Sequence, residues 1–322
     1  MTIGMARELG VGSLPELEAR IDSLSMSPGW VVREPPLLWK ETRSRFLPAR
    51  WKYAEAKDLM VHAAQALGTD KAERRNFLLR NPVAGNDFAT LRTLVCAYQT
   101  MLPGEKAISH RHAPHAMRVL LESNGAYSVV NGLKHPMNSG DIVLTPGGAW
   151  HGHGHEGSEQ AFWLDGLDVP LTHLLEPMYY EPFPVEMEAV TGVAEHSPMR
   201  FPWDQTLQRL AHAAGNGGEH FGTRIQLDTS CMPTITLEVM QWKKRWVSRP
   251  YRHTANAIFV VMRGCGESSV ADATFAWQFG DVFAAPAWSR MQHTAADDSV
   301  VCCISDRQLM ELAAYYRFEA LA

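Results

Sequence analysis

The sequence has 322 residues, 46% of them hydrophobic and 20% charged, with a formal net charge of -5 at pH 7. That balance belongs to a soluble globular protein with room for two ordinary domains, and it excludes a disordered chain or a fibre. A slight acidic excess argues against nucleic acid as a partner. No apolar run reaches the ~18 residues of a membrane span, and the N-terminus lacks a signal peptide's layout, so the expected setting is the cytoplasm.

The N-terminal arm, residues 1–76, carries two helical patterns. Ser13-Leu-Pro-Glu16 has capping-box spacing and predicts a helix through Leu17, Ile21 and Leu24, broken by Pro28-Gly29. Ala54 to Leu67 places Leu59, Met60, Ala63, Ala64 and Leu67 at helical spacing and stops at Gly68. From Phe77 the texture changes to short Val-, Leu-, Ile- and Tyr-rich runs cut by Pro103-Gly104, Asn124-Gly125, Asn131-Gly132 and Ser139-Gly140, a pattern of antiparallel strands. These give a first β unit over 77–175, a Pro-rich linker over 176–222, a second β unit over 223–305 and a C-terminal helix over 306–322. Five cysteines (Cys96, Cys231, Cys265, Cys302, Cys303), odd in number and without C-x-x-C spacing, are expected as free thiols.

The two β units repeat one another. His112 is followed thirteen residues on by Gly125 and then by Gly140-Asp141 and Pro146; His253 is followed thirteen residues on by Gly266 and then by Gly280-Asp281 and Pro286. The agreement of two spacings points to duplicated small β-barrels of the double Greek-key kind.

Within the first unit, His110 and His112 are two apart on a predicted strand, so both side chains project to one face and can reach one ion. His151 follows a Pro-x-Gly turn on a later strand, where the opposite wall would supply a third ligand. Three neutral imidazoles suit iron, zinc or copper and leave coordination positions open. His153 shares the strand face of His151 and is a candidate proton acceptor or donor. Arg118 is a candidate carboxylate clamp, because a guanidinium fork matches a carboxylate. Gln99 points inward by alternation with Ala97 and Val95. Asp165 and Asp168 either orient His153 or Arg118, or simply end a strand. His115 is read as a solvated or packing residue and not a fourth ligand, and His155 as structural.

The spacing Gly104-x5-His110-x-His112-x5-Arg118-x6-Gly125, followed by Gly140-x5-Pro146-x-Gly148-x2-His151, resembles the paired cupin motifs. Over roughly residues 45 to 320 the chain resembles the bicupin gentisate and salicylate 1,2-dioxygenases, with similar wording in Ala49-Arg-Trp-Lys-Tyr53, Lys71-Ala-Glu-Arg-Arg75, Trp150-His-Gly-His153 and Trp163-Leu-Asp-Gly-Leu-Asp168. The resemblance implies an all-β bicupin core with an N-terminal helical arm and a C-terminal helix. It also implies one Fe(II) per chain on His110, His112 and His151, and a homo-oligomer, dimer or tetramer. The reaction implied is cleavage of a 2-hydroxybenzoate by dioxygen between the carboxyl-bearing and hydroxyl-bearing carbons.

Most cupin sites place a glutamate ligand near the position of Arg118. Without it the ion keeps its full double charge, and a substrate with two adjacent anionic oxygens can neutralise it by chelation. Arg74 and Arg75 match a basic pair that relatives bring to the pocket. The family usually shows an aromatic, a small residue and a glycine in the segment that reads Val95-Cys96-Ala97-Tyr98-Gln99 here. That departure favours a 5-substituted salicylate, nitro or hydroxy, with gentisate or 1-hydroxy-2-naphthoate as alternatives and a non-catalytic binding bicupin as the reading from another class. In the second unit the three ligand positions hold Tyr251, His253 and Met291, and Phe259 stands at the arginine position, so that barrel is expected to be scaffold.

Overall fold

A computed structural model describes residues 13–68, 74–194 and 196–322. The chain divides into a short N-terminal unit ending at Thr42 and a main unit, Arg43–Ala322. In the first unit, the helix Leu14–Ser23 begins at Ser13, whose hydroxyl accepts from the Glu16 N–H at 3.4 Å, as its capping spacing predicts. Lys71, Ala72 and Glu73 of the quoted family wording lie outside the described residues. No described helix is long and apolar enough to cross a membrane.

The main unit is built from two barrels, each made of two facing sheets. The first barrel combines a sheet of Arg200–Phe201, Ile142–Thr145, Ala116–Glu122, Ala161–Leu167, Val95–Met101 and Arg75–Leu78 with a sheet of Tyr180–Pro182, Lys106–His112, His151–His155, Ala126–Val130, Leu133–Met137 and Gly192–Val193. The second repeats the plan with strands between Thr223 and Ser305. This is the duplicated cupin architecture that the repeat predicts. Strand alternation explains how the barrels join. In Val95–Met101, Val95, Ala97 and Gln99 face the barrel interior, while Cys96 and Tyr98 face outward into a core that also holds Met117, Leu164, Leu237, Ile258 and Ile304. One apolar layer thus binds the two barrels back to back, and the five cysteines stay free.

Leading segments are exchanged between the barrels. Ala49–Trp51, ahead of the first barrel, pairs with Val282–Ala285 of the second, and Arg200–Phe201, ahead of the second, pairs with Ile142–Thr145 of the first. Each is followed by a helix whose first N–H is capped on the same host barrel. Tyr53 N donates to Asp281 Oδ1 and Trp203 N donates to Asp141 Oδ1, both at 2.9 Å. The Gly-Asp of the sequence repeat is the docking turn. Gly140 and Gly280 have φ of 84° and 80°, and a Cβ on either would run into the Trp203 or Tyr53 ring. A second reciprocal pair crosses the interface, Thr93 donating to Asp306 at 2.6 Å and Thr234 to Asp168.

Three boundaries differ from the sequence reading. The first barrel starts at Arg75, inside the segment assigned to the arm, and the arm itself lends Ala49–Trp51 to the second barrel. The segment read as a linker, 176–222, supplies three short strands to the first barrel before the helix Trp203–His212. The C-terminal helix spans only Arg307–Leu312: Ala314 turns left-handed at φ 58°, and Phe318–Ala320 pairs with Tyr251–His253. An open sheet edge there competes with continued helix and wins, because it satisfies backbone groups that would otherwise lie exposed.

Candidate active site

His110 and His112 project from Lys106–His112, and His151 opens His151–His155, the next strand of the same sheet, directly opposite His110. The third histidine therefore comes from the neighbouring strand and not from the opposite wall, since the cupin sheet order places these two strands side by side. The three can present one nitrogen each, all within 4.8 Å of one another, the one such cluster of metal-binding type among the described residues.

Their tautomers suit a metal. His112 Nδ1 lies 2.8 Å from Pro114 O, His151 Nδ1 3.0 Å from Ala149 O and His110 Nδ1 3.0 Å from Ile108 O. At His112 and His151 the backbone carbonyl at Nδ1 holds the proton there and leaves the Nε2 lone pair for coordination, whereas His110 Nδ1 faces both the Ile108 carbonyl and the Arg74 guanidinium. His110 Nε2 is buried and meets no protein partner. Burial first, and the nearby Arg74 second, push the His110 pKa down to about 3; burial pushes His112 down to about 4. All are neutral at pH 7, the form that binds a metal. No carboxylate stands among them.

The facing sheet supplies the arginine. Arg118 and Asp165 are cross-strand partners with Nε and Oδ1 3.2 Å apart, and Arg118 Nη1 donates to Thr145 Oγ1 at 2.7 Å. Trp163 Nε1 donates to the other Asp165 oxygen at 3.2 Å. Burial raises the Asp165 pKa and lowers that of Arg118, and each charge opposes the shift of the other. Asp165 thus lies against Arg118 and Trp163 rather than His153. His153 is buried, its Nδ1 meets no protein partner, and burial together with the Arg118 charge holds its pKa well below 6.5.

A cavity of about 90 Å³, partly open to solvent, gathers the three histidines, His153, Arg118, Asp165, Gln99, Ala97, Val95 and Arg74. Of the arginine pair, Arg74 faces in, with Nη2 2.7 Å from His110 Nδ1. Arg75 does not reach the cavity: its guanidinium pairs with Glu105 and donates to Leu67 O at 2.8 Å. Strand alternation decides between them. It also brings in Asn76 and Leu78, opposite Gln99 and Ala97, which sequence reasoning missed because it began the barrel at Phe77. Leu167 was missed too, although it continues the inward parity of Asp165. Asp168 stands away from the cavity, accepting from His115 N at 2.8 Å and from Thr234. His115 Nδ1 accepts from Gly147 N, and His155 donates to Glu159 O.

In the second barrel Tyr251 faces Met291 where His110 faces His151, and both are buried. His293 is hydrogen-bonded at both ring nitrogens, to Tyr251 Oη at 3.0 Å and to Ser268 Oγ at 2.8 Å, and stacks on Trp242.

Comparison with known proteins agrees with this geometry. The cupin domain family matches residues 97–167, the strands that carry the cluster. A gentisate 1,2-dioxygenase of Ralstonia sp is 30% identical over 94% of this chain and 94% of its own length. A 5-aminosalicylate 1,2-dioxygenase of Comamonas sp is 29% identical over 92% of this chain and 88% of its own. The fold of a salicylate 1,2-dioxygenase from Pseudoaminobacter salicylatoxidans, in a mutant form, superposes with a TM-score of 0.85 at 22% identity over 95% of this chain and 97% of that one. With a metal-binding histidine triad in a cupin barrel and a relative at that identity along nearly its whole length, the chain belongs to the bicupin gentisate and salicylate 1,2-dioxygenase family of ring-cleaving enzymes.

Proposed function

We propose that the protein is an Fe(II)-dependent dioxygenase that opens a 2-hydroxybenzoate between the carboxyl-bearing and hydroxyl-bearing carbons, with a 5-substituted salicylate, nitro or hydroxy, as substrate. The observation that carries this reading is the charge arrangement: three neutral imidazoles with no carboxylate among them, in one cavity with Arg118 and Arg74, where the carboxylate of Asp165 is already paired with Arg118. Such a site withholds negative charge from a dication and demands it from the ligand. A salicylate supplies it through adjacent carboxylate and phenolate oxygens.

Iron held by His110, His112 and His151 would supply what side chains lack, bringing dioxygen and an electron-rich ring into one coordination sphere. The chain's own residues do the rest. Arg118, fixed by Asp165 and Thr145, is positioned to grip the substrate carboxylate without reorganising. Arg74 lines the same cavity, with Nη2 2.7 Å from His110 Nδ1, and brings a second positive charge to the side on which an anionic substrate would enter. His153, neutral and unpartnered at Nδ1, can take the hydroxyl proton: burial is the main cause of its low pKa, and an anion beside Arg118 offsets the second, the Arg118 charge. Val95, Ala97, Leu78 and Leu167 give the wall an apolar face for the ring, with Gln99 and Asn76 as polar points on it.

Support for a ring substituent comes from the relatives: the proteins named for gentisate and 5-aminosalicylate act on salicylates substituted at position 5. Gentisate is the 5-hydroxy case of this reading, favoured by the names of two relatives at 28% and 30% identity. The test is anaerobic loading with Fe(II) followed by oxygen uptake with 5-nitrosalicylate, 5-aminosalicylate, gentisate, salicylate and 1-hydroxy-2-naphthoate. The expected outcome is the highest kcat/KM with a 5-substituted salicylate. Uptake with none of them rejects the reading, and a clear preference for unsubstituted salicylate or the naphthoate rejects the substituent. We further propose one iron per chain and a homo-oligomer, dimer or tetramer. Exposed Leu174, Leu175, Tyr180 and Val185 on the first barrel support association, and sedimentation measures it.

A further inference from the structure

The strand that carries His110 and His112 is irregular. Its register against His151–His155 shifts between Ala107 and His110, so the ladder is interrupted immediately before the ligands. The segment Tyr179–Glu188 lies along the other edge of that strand and completes it. Ala113 N donates to Tyr179 O at 3.2 Å, Tyr180, Glu181 and Pro182 pair with His112, Arg111 and His110, and Phe183 N donates to Ser109 O at 2.9 Å. Ser109 N donates in turn to Glu186 O at 2.9 Å, and Ser109 Oγ accepts from Glu188 N at 2.9 Å. Every polar group of buried Ser109 is thus spent on this segment. Its hydroxyl also sits against Gly152, between His151 and His153, so close that a Cβ at Gly152 would overlap it.

Side chains continue the arrangement. The Tyr180 ring stacks on the His110 ring, centroids 5.2 Å apart and planes 23° from parallel, and Tyr180 is itself exposed while His110 is buried. Glu181 pairs with Arg111 at 2.6 Å, Arg111 lies over the Trp150 ring at 4.5 Å, and Trp150 meets Phe183 edge-on at 4.9 Å, one residue before His151. The Arg111–Glu181 pair is too exposed to hold much by itself. Tyr180 and Ser109 are the contacts that bear directly on ligand residues and their strands.

We propose that Tyr179–Glu188 is a strap that sets the metal ligands in place, with Tyr180 the positioning residue for His110 and Ser109 the positioning residue that fixes the spacing of the His110 and His151 strands. The inference rests on the metal reading above. Groups behind a ligand typically change metal affinity ten- to a hundredfold when removed. A ring that covers one face of His110 excludes water from it and restricts its rotation, so that Nε2 stays aimed at the ion.

The experiment titrates the metal-free full chain and its variants with Co(II) against a competing chelator, recording the visible spectrum and the melting temperature of each metal-free protein. Tyr180→Ala and Ser109→Ala are expected to weaken Co(II) binding by about tenfold or more and to alter the spectrum, while Tyr180→Phe, which keeps the stack, stays close to wild type. Where Tyr180→Ala does not fold, Tyr180→Leu carries the same test. Wild-type affinity and spectrum in both variants, or a fall in melting temperature alone, overturn the strap. A wild-type chain that binds no Co(II) sinks the metal reading and the strap together.

Discussion

Tyr53 N donates to Asp281 Oδ1 across the barrels at 2.9 Å, so the helix that leads into the first barrel is started by a carboxylate of the second. Asp281 is buried and also accepts from Gln278 N at 3.2 Å. Replacement with alanine strands a buried helix N–H. Asp281→Ala should lower unfolding stability by about 1–3 kcal/mol, and Asp281→Asn, which keeps an acceptor, by clearly less. Urea unfolding followed by circular dichroism measures both, and equal losses would show that the cap is not the cause.

Metal stoichiometry should separate the two barrels. His151→Ala should abolish tight metal binding, because two neutral ligands remain, whereas His253→Ala should leave one metal per chain. In the second barrel the cross-strand partners Tyr251 and Met291 occupy the places of His110 and His151. Metal analysis after gel filtration reads this directly, and a loss of metal in both variants would refute the assignment to the first barrel.

The adjacent arginines should fail in different ways. Arg74→Ala is expected to raise KM for the aromatic acid, and Arg118→Lys to lower kcat/KM about ten- to a hundredfold, the effect of one charge-assisted contact. Arg75→Ala should instead destabilise the fold, since its guanidinium is buried against Glu105. Steady-state kinetics beside thermal melting distinguishes the two. A kinetic defect in Arg75→Ala without loss of stability would reverse the assignment.

Burial holds the pKa of His293 down to about 3 and that of His253 down to about 4, both in the second barrel. The unfolded chain takes up protons at these positions below its ordinary histidine pKa of about 6.5, while the folded chain does not until pH 4 to 3. The folded pKa values lie below the unfolded ones, so their contribution to stability is fully present above the unfolded pKa and falls as pH drops through that window. His253→Gln, with one titrating ring fewer, should show a shallower slope of stability against pH between 6.5 and 4. Denaturant unfolding at several pH values provides the measurement, and identical slopes would contradict it.

Much of the site was legible because strand alternation is a local rule. The two-residue spacing of His110 and His112 placed both on one face, and the same parity makes Val95, Ala97 and Gln99 neighbours in the cavity. What eluded the sequence is what depends on which strands lie side by side. His151 belongs to the adjacent strand, a fact of sheet order. The choice between Arg74 and Arg75 follows from pairing of Asn76 with Gln99, which fixes the parity of a short edge strand. The Pro-rich stretch read as a linker carries little periodicity because its strands are only two or three residues long and sit at sheet edges. The last helix is shorter than its apolar pattern, because Tyr251–His253 offers the chain end, Phe318–Ala320, a partner far upstream that no local window contains.

The exchanged leading segments bind the fates of the duplicated halves. Cutting the gene between them would deprive each product of a strand and a helix that complete it, so neither could be inherited alone in working form. What the half with the histidine cluster requires of its sibling is a landing turn, an open edge and an apolar face. That requirement falls on Gly280, Asp281 and the backbone shape around them, and no histidine takes part in it.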